Sequence, residues 1–161
     1  MKFIADGMLG KLTRWLRMLG HDVKYSNQMN DAELSAIAKE ERRILLTKDL
    51  ELYQRAVAKG IGAFYLEGRT EAERLAELAA RFKIPLEIDL QNSRCPVCNT
   101  KLRPLPKEML GGRVEKNTFA HYNDFWECCK CGHVYWQGAH WGRIRATLKE
   151  AEENLKGKVE A

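Results

Sequence analysis

The chain has 161 residues and is 45% hydrophobic, enough to bury the core of one domain with a smaller attachment, which excludes a disordered or fibrous polypeptide. Lys and Arg outnumber Asp and Glu by 27 to 22, and the formal charge of +5 favours a polyanionic partner, although charge speaks of partners and solubility rather than of a site. No apolar run approaches the roughly 20 residues of a membrane helix and no secretory segment is present, so the expectation is a cytoplasmic protein with no membrane partner.

In chain order, Phe3-Ile4-Ala5 is a short apolar run that stops on Asp6-Gly7. Leu9, Leu12, Trp15, Leu16 and Leu19 then recur at helical spacing, and Gly20 supplies a left-handed stop, so residues 8–19 read as a helix. Lys11, Arg14 and Arg17 are spaced by three on its other side. On most helices such a stripe is a solvated face, but beside a carboxylate it reads as a set of phosphate contacts. Residues 21–25 alternate like a strand, and a polar loop leads to a helix that starts near Asn30 or Asp31, where Asn30 and Glu33 have the spacing of a capping box. Asp31 is therefore either a first-turn acid favoured by the helix dipole or a carboxylate projected into a site.

The stretch Arg43-Ile44-Leu45-Leu46-Thr47-Lys48-Asp49-Leu50-Glu51 repeats the pattern of the first strand, because a continuous apolar run again ends on a carboxylate. Such runs suit strands covered on both faces, which belong to parallel sheets whose carboxyl ends form the ligand crevice. A helix through Leu52, Ala56 and Val57 closes at Gly60, residues 61–66 form the next strand, and residues 71–82 form a helix with Leu75, Leu78, Ala79 and Phe82 inward. Residues 84–88 read as a last edge strand that tolerates Pro85. The alternation argues for an α/β unit built from βαβ crossovers over residues 1–90.

Composition changes at Gln91. Cys95-Pro96-Val97-Cys98 and Cys128-Cys129-Lys130-Cys131 are two C-x-x-C knuckles whose natural product is a structural zinc held by Cys95, Cys98, Cys128 and Cys131. A thioredoxin-like redox pair needs only one such knuckle. Cys129 reads as a spare thiol, and His121, His133 and His140 are substitute ligands. Phe125, Trp126, Tyr135, Trp136 and Trp141 crowd the second knuckle near Lys130, Arg143 and Arg145, which suits either packing around the metal or base stacking. Residues 91–142 thus form a ribbon, and residues 143–161 a charged terminal helix with Ile144, Leu148, Ala151 and Leu155 on one stripe.

Together, residues 6–20 (Asp-Gly-Met-Leu-Gly-Lys-Leu-Thr-Arg-Trp-Leu-Arg-Met-Leu-Gly), Asp31-Ala32-Glu33-Leu34, the run from Ile44 to Asp49 and residues 131–141 resemble a known family. It is the PIN-like ribonuclease domain with an appended zinc ribbon, of the Mut-seven C-terminal type. The resemblance implies a PIN-like parallel sheet flanked by helices, cleavage of RNA dependent on magnesium or manganese, and acidic ligands matching Asp6, Asp31 and Asp49. Glu51 stands where such nucleases commonly carry a further acid. Lys11, Arg14, Arg17 and Lys48 flank these acids and are the candidate RNA contacts.

The carboxylates make sense without the family, since hard divalent cations take a few carboxylate oxygens and complete their shell with water and substrate phosphate. No P-loop, G-x-G-x-x-G or Ser-His-Asp order occurs, so P-loop NTP hydrolysis, dinucleotide chemistry and acyl transfer lack a residue set. Two rivals stand beside the nuclease. A receiver-type phosphoacceptor would also end its third strand on Asp49 but needs an acidic pair where only Asp6 is found. A non-catalytic RNA- or ribosome-binding module would use the ribbon and leave the acids idle.

Overall fold

Phe3, Ile4 and Ala5 of β1 (Lys2–Ala5) and Leu45 and Leu46 of β3 (Ile44–Thr47) are wholly buried in the computed structural model, which describes residues 1–160. Burial of consecutive residues means both faces are covered, and the two strands lie side by side in the middle of a four-stranded sheet of order β2-β1-β3-β4. All pairings in it are parallel, with Ala5 beside Tyr25 of β2 (Asp22–Tyr25) on one side and Leu46 on the other, and Leu46 beside Phe64 of β4 (Ala63–Tyr65).

Helices cover the two faces in separate layers. On one face Leu9, Leu12 and Leu16, in and just before α1 (Gly10–Met18), join Leu75, Leu78 and Ala79 of α4 (Glu71–Phe82) in a core with Phe3 and Leu46. On the other, Leu34 and Ala38 of α2 (Asp31–Glu40) and Leu52 and Ala56 of α3 (Leu50–Ala58) pack on Ile4 and Leu45. The helix starts have local causes. Asn30 caps α2, accepting from Glu33 N at 2.8 Å while its own N–H reaches Glu33 Oε2, and Thr70 caps α4 by accepting from Glu73 N at 3.1 Å. Gly20 closes α1 at φ 99, where an added Cβ would meet Asn92 O at 2.8 Å.

The second half is smaller. An antiparallel sheet of β5 (Arg103–Leu105), β6 (Phe125–Glu127) and β7 (Val134–Tyr135) carries the cysteine knuckles, with a short helix α5 (Lys116–His121) in the β5–β6 connection. The aromatic residues mostly pack: Phe125 sits with Leu105 and Leu110, and Trp141 with Leu90, Leu102, Cys95 and Cys128.

One expectation is corrected. Residues 84–88 form no strand, although Ile84 and Leu86 are buried in the first core. Alternation of apolar side chains is satisfied there by packing alone, since Lys83 in the left-handed region (φ 56) turns the chain off the sheet and Pro85 has no N–H to offer a ladder. The terminal helix, α6 (Trp141–Glu160), buries the apolar stripe expected of it, with Ile144 and Leu155 packed against the first core. Its Leu148 and Ala151 belong to the first core and it lies along α4, so the layer begun by the first 90 residues is completed by the last 20 of the described chain.

One charged network ties the sheet to the second half. Arg43, only 6% exposed in its side chain, donates to Asp22 Oδ1 at 2.8 Å and to Phe3 O at 3.1 Å, and Asp22 also accepts from Asn99 Nδ2 at 2.7 Å. Burial alone would raise the Asp22 pKa, but the bonds from Arg43 and Asn99 outweigh it and hold the group at about 2. Because that value is depressed below the unfolded one of about 3.9, the stabilisation is complete above pH about 4 and fades as pH falls toward 2. Asp22→Asn should therefore cost about 1–2 kcal/mol at neutral pH. In urea unfolding at a series of pH values, the difference from wild type should shrink between pH about 4 and about 2; a difference independent of pH would refute it.

Candidate active site and four-cysteine cluster

Because β1 leads into α1 on one face while α2 and α3 lie on the other, the carboxyl ends of β1 and β3 mark the point where the chain connections diverge. Loops leaving neighbouring strands in opposite directions open a crevice, the usual ligand position in an open parallel sheet. Asp6 follows β1 directly, and Asp49 comes two residues after β3. Asp6 extends the ladder by donating its N–H to Leu46 O at 3.0 Å, and its Oδ1 accepts from Met8 N at 2.9 Å, which starts the turn into α1. Asp49 is the N-cap of α3, with Oδ1 accepting from Leu52 N at 3.1 Å.

Between them stands Thr47, wholly buried at the end of β3. Its hydroxyl donates to Asp6 Oδ2 at 2.7 Å and accepts from Asp49 N at 2.9 Å, so one side chain orients the Asp6 carboxylate and fixes the backbone of Asp49.

Asp31 opens α2, and helices following parallel strands start at the carboxyl edge, so it rises on the same side as Asp6 and Asp49. Its Oδ2 accepts from Arg55 Nη2 at 2.7 Å, and Arg55 Nη1 lies 3.9 Å from Glu51 Oε2. Asp31 and Glu51 are thus joined through an arginine of α3. Glu51, 84% exposed in its side chain, has no other partner among the described residues. The three aspartates do not form a tight cluster, since among the described residues only the four cysteines bring three or more possible ligand atoms within 4.8 Å of one another. Asp49 is held at its helix cap and Asp31 at Arg55. The hard oxygen donors of Asp6 and Asp49 on a solvent-facing edge nevertheless suit a magnesium or manganese ion that keeps several of its waters.

The cations divide. Lys11 and Arg14 are exposed on α1, and Lys11 lines a cleft of about 530 Å³ with Met8, Gly10, Arg69 and Thr70, beside the Asp6 turn. Lys48 is half-buried and donates to Gly68 O at 3.0 Å, pinning the loop that carries Arg69. Arg17 departs from the expected stripe. It is 7% exposed and donates to the carbonyls of Val23, Pro96 and Val97. Residues spaced by three drift about 60° per step on a helix of 3.6 residues per turn, so the third member of the stripe faces β2 and the first knuckle instead of solvent.

At the far side of that contact the four thiols converge. Cys95 Sγ lies 3.5 Å from Cys131 Sγ and Cys98 Sγ 3.3 Å from Cys128 Sγ, and all four lie within 4.8 Å of one another. A tetrahedral zinc with Zn–S of about 2.3 Å needs sulfurs about 3.8 Å apart, so the set fits a zinc-type ion. Cys129 is exposed and outside the cluster. The histidines are not ligands of this set, although His133 Nδ1 lies 2.9 Å from Cys131 Sγ and Tyr135 Oη 3.1 Å from Cys95 Sγ, where they contact the ligands from outside. Burial raises the Cys98 thiol, yet hydrogen bonding with Thr100 and Cys128 outweighs it and brings the group to about 6. The backbone of His133 pulls Cys131 down, but burial and the neighbouring thiols push it up to about 12. Sulfurs this close cannot all ionise unless a cation shares their charge.

A family model described as the Mut7-C RNAse domain matches residues 1–148. The chain belongs to the Mut7-C RNAse domain family. No curated protein and no solved structure gives a match. The Mut7-C match runs from the Asp6 strand through both knuckles and into α6, so it includes the ribbon together with the sheet, and it supports a ribonuclease-type activity with RNA as substrate.

Sequence reasoning gave no structural role to three residues in and around this candidate site. Thr47 was visible as the first member of Thr-Lys-Asp, one pleat short of the carboxylate. Arg55 carries the i,i+4 spacing from Glu51 but nothing local to indicate Asp31. Asn99, just past the first knuckle, is a residue type that tolerates the left-handed conformation it adopts (φ 72).

Protein purified under reducing conditions should carry about one zinc per chain by metal analysis, and Cys95→Ser should reduce that content sharply. Because each thiol must lose its proton to bind, zinc affinity measured by chelator competition should weaken as pH falls from 7. A folded chain with no zinc, or affinity independent of pH, would refute the four-thiolate site.

Proposed function

We propose that the chain is a divalent-metal-dependent ribonuclease that hydrolyses RNA phosphodiester bonds at the crevice between β1 and β3. The observation that carries this reading is the Thr47 hydroxyl holding Asp6 while it accepts from the Asp49 backbone, at the carboxyl ends of two adjacent parallel strands. Thr47 thereby ties the Asp6 carboxylate to the backbone of Asp49, whose own carboxylate caps α3 at the same edge. Asp6 and Asp49 would hold magnesium or manganese, with Asp31 as third carboxylate and Glu51 further out. A bound divalent ion supplies a Lewis acid for the phosphate and a more acidic water.

The chain's own residues supply position. Asp6 is fixed at both oxygens by Thr47 and Met8 N, so it cannot swing away when substrate enters. The carboxylates by themselves repel RNA, and Lys11 and Arg14, exposed one and two turns along α1, offset that repulsion by binding backbone phosphates. Arg69, across the cleft from Lys11, extends the same basic surface. Lys48 supports it from beneath by holding Gly68 O. A four-thiol cluster is at home in a reducing compartment, which supports the cytoplasm as the place of action.

Asp49→Asn keeps a good N-cap for α3, so the fold should persist while magnesium- or manganese-dependent RNA hydrolysis falls by about a hundredfold or more. Equal hydrolysis by mutant and wild type would reject Asp49. RNA binding by wild type with no divalent-dependent cleavage would favour the non-catalytic binding module.

Replacing Lys11 and Arg14 together with Ala should weaken RNA binding at low salt and flatten log affinity against log salt by about 0.7–1 unit per lost contact. The rate at saturating RNA should change less. An unaltered slope would make this face of α1 merely solvated.

A further inference from the structure

Strand β2 is an edge of the sheet, and Val23 near its middle points its backbone N–H and C=O away from β1. Both are satisfied from outside. The N–H donates to Asn99 Oδ1 at 3.1 Å, and the carbonyl accepts from Arg17 Nη2 at 2.8 Å and Nε at 3.1 Å. Arg17 Nη1 then donates to Pro96 O at 2.9 Å and Val97 O at 3.3 Å, the two residues between the thiols of Cys95 and Cys98. The guanidinium is buried, and no carboxylate hydrogen bonds to it among the described residues, so part of its charge is met by the carbonyls of the knuckle turn. The same linker closes α1, since Arg94 N donates to Arg17 O at 2.8 Å and Ser93 Oγ to Met18 O.

The contact continues to the acids. Tyr25, the last residue of β2, pairs with Ala5 and donates its hydroxyl to Gly7 O at 2.8 Å, so β2 supports the turn that carries Asp6. We propose that zinc loading of the cysteine cluster controls the order of α1 and β2, and through them of the Asp6 turn, with Arg17 and Asn99 as the coupling residues. The knuckle turn holds its shape because its two thiolates are closed onto the other pair. Once the metal leaves, that turn loses its constraint, Arg17 loses two acceptors, and Val23 loses the acceptor that covers its edge. Coupling of this kind is reciprocal, so breaking the contact from the Asn99 side must weaken zinc binding. This coupling is independent of RNA cleavage.

The test is hydrogen exchange by mass spectrometry on the full chain, zinc-loaded and after treatment with a zinc-selective chelator under reducing conditions. Peptides covering residues 10–25 should lose protection without zinc, whereas those covering residues 31–58, on the opposite face, should retain it. Unchanged exchange in residues 10–25 would overturn the proposal. Should the zinc-free chain unfold as a whole, Asn99→Ala in the zinc-loaded chain decides. That variant should raise exchange at β2 and weaken zinc affinity by about tenfold, the scale of losing an outer-shell support. Zinc affinity within about twofold of wild type, with β2 protection intact, would refute the coupling.

Discussion

Two adjacent parallel strands buried on both faces set the terms for everything else in this molecule. Ile4 must be covered on one side and Phe3 on the other, and Leu45 and Leu46 repeat the demand, so helices are needed in two layers. A right-handed crossover can serve only one face at a time, and the chain therefore leaves β1 for one layer and enters β3 from the other. The crevice is the geometric residue of that divergence. Asp6 and Asp49 gain their shared position from the same burial that makes the core, and Thr47, the last buried residue of β3, joins the two roles.

A sheet of four short strands also has edges to protect, and the two are treated differently. β4 is brief, while β2 is covered by the first knuckle, whose Asn99 and the inward-turned Arg17 take up the backbone of Val23. The ribbon is thereby part of the sheet's environment. α6 makes the same point from the other end, since the chain returns from the ribbon to bury Leu148 and Ala151 beside α4. The four-cysteine cluster lies between an edge strand and a closing helix, so the contacts of the ribbon reach well beyond its own small sheet.

The legible features were those whose cause is local. Asp6 and Asp49 stood out because each closely follows an uninterrupted apolar run, and a strand buried on both faces needs such a run. The four cysteines were readable because two knuckles of fixed spacing leave few other products. The cap of α2 was readable from Asn30 and Glu33, whose contact closes within one turn. Arg17 was misread for an equally local reason. Its spacing from Arg14 matched a stripe, and nothing nearby in the chain records that Pro96 O lies 2.9 Å from its guanidinium.

By itself, then, the amino-acid sequence determined the alternation of strands and helices, the acids at the strand ends, the thiol set and membership of a ribonuclease family. Periodicity, caps and knuckles act over one or two turns of chain and are written directly in residue order. Only the tertiary structure decided that residues 84–88 pack without pairing, that α6 closes the first core, that Asp31 answers to Arg55, and that Arg17 serves the knuckle in place of the solvent face. Those outcomes depend on which distant groups arrive within hydrogen-bonding reach or van der Waals contact, and that is a property of how layers stack and edges are covered rather than of any local pattern.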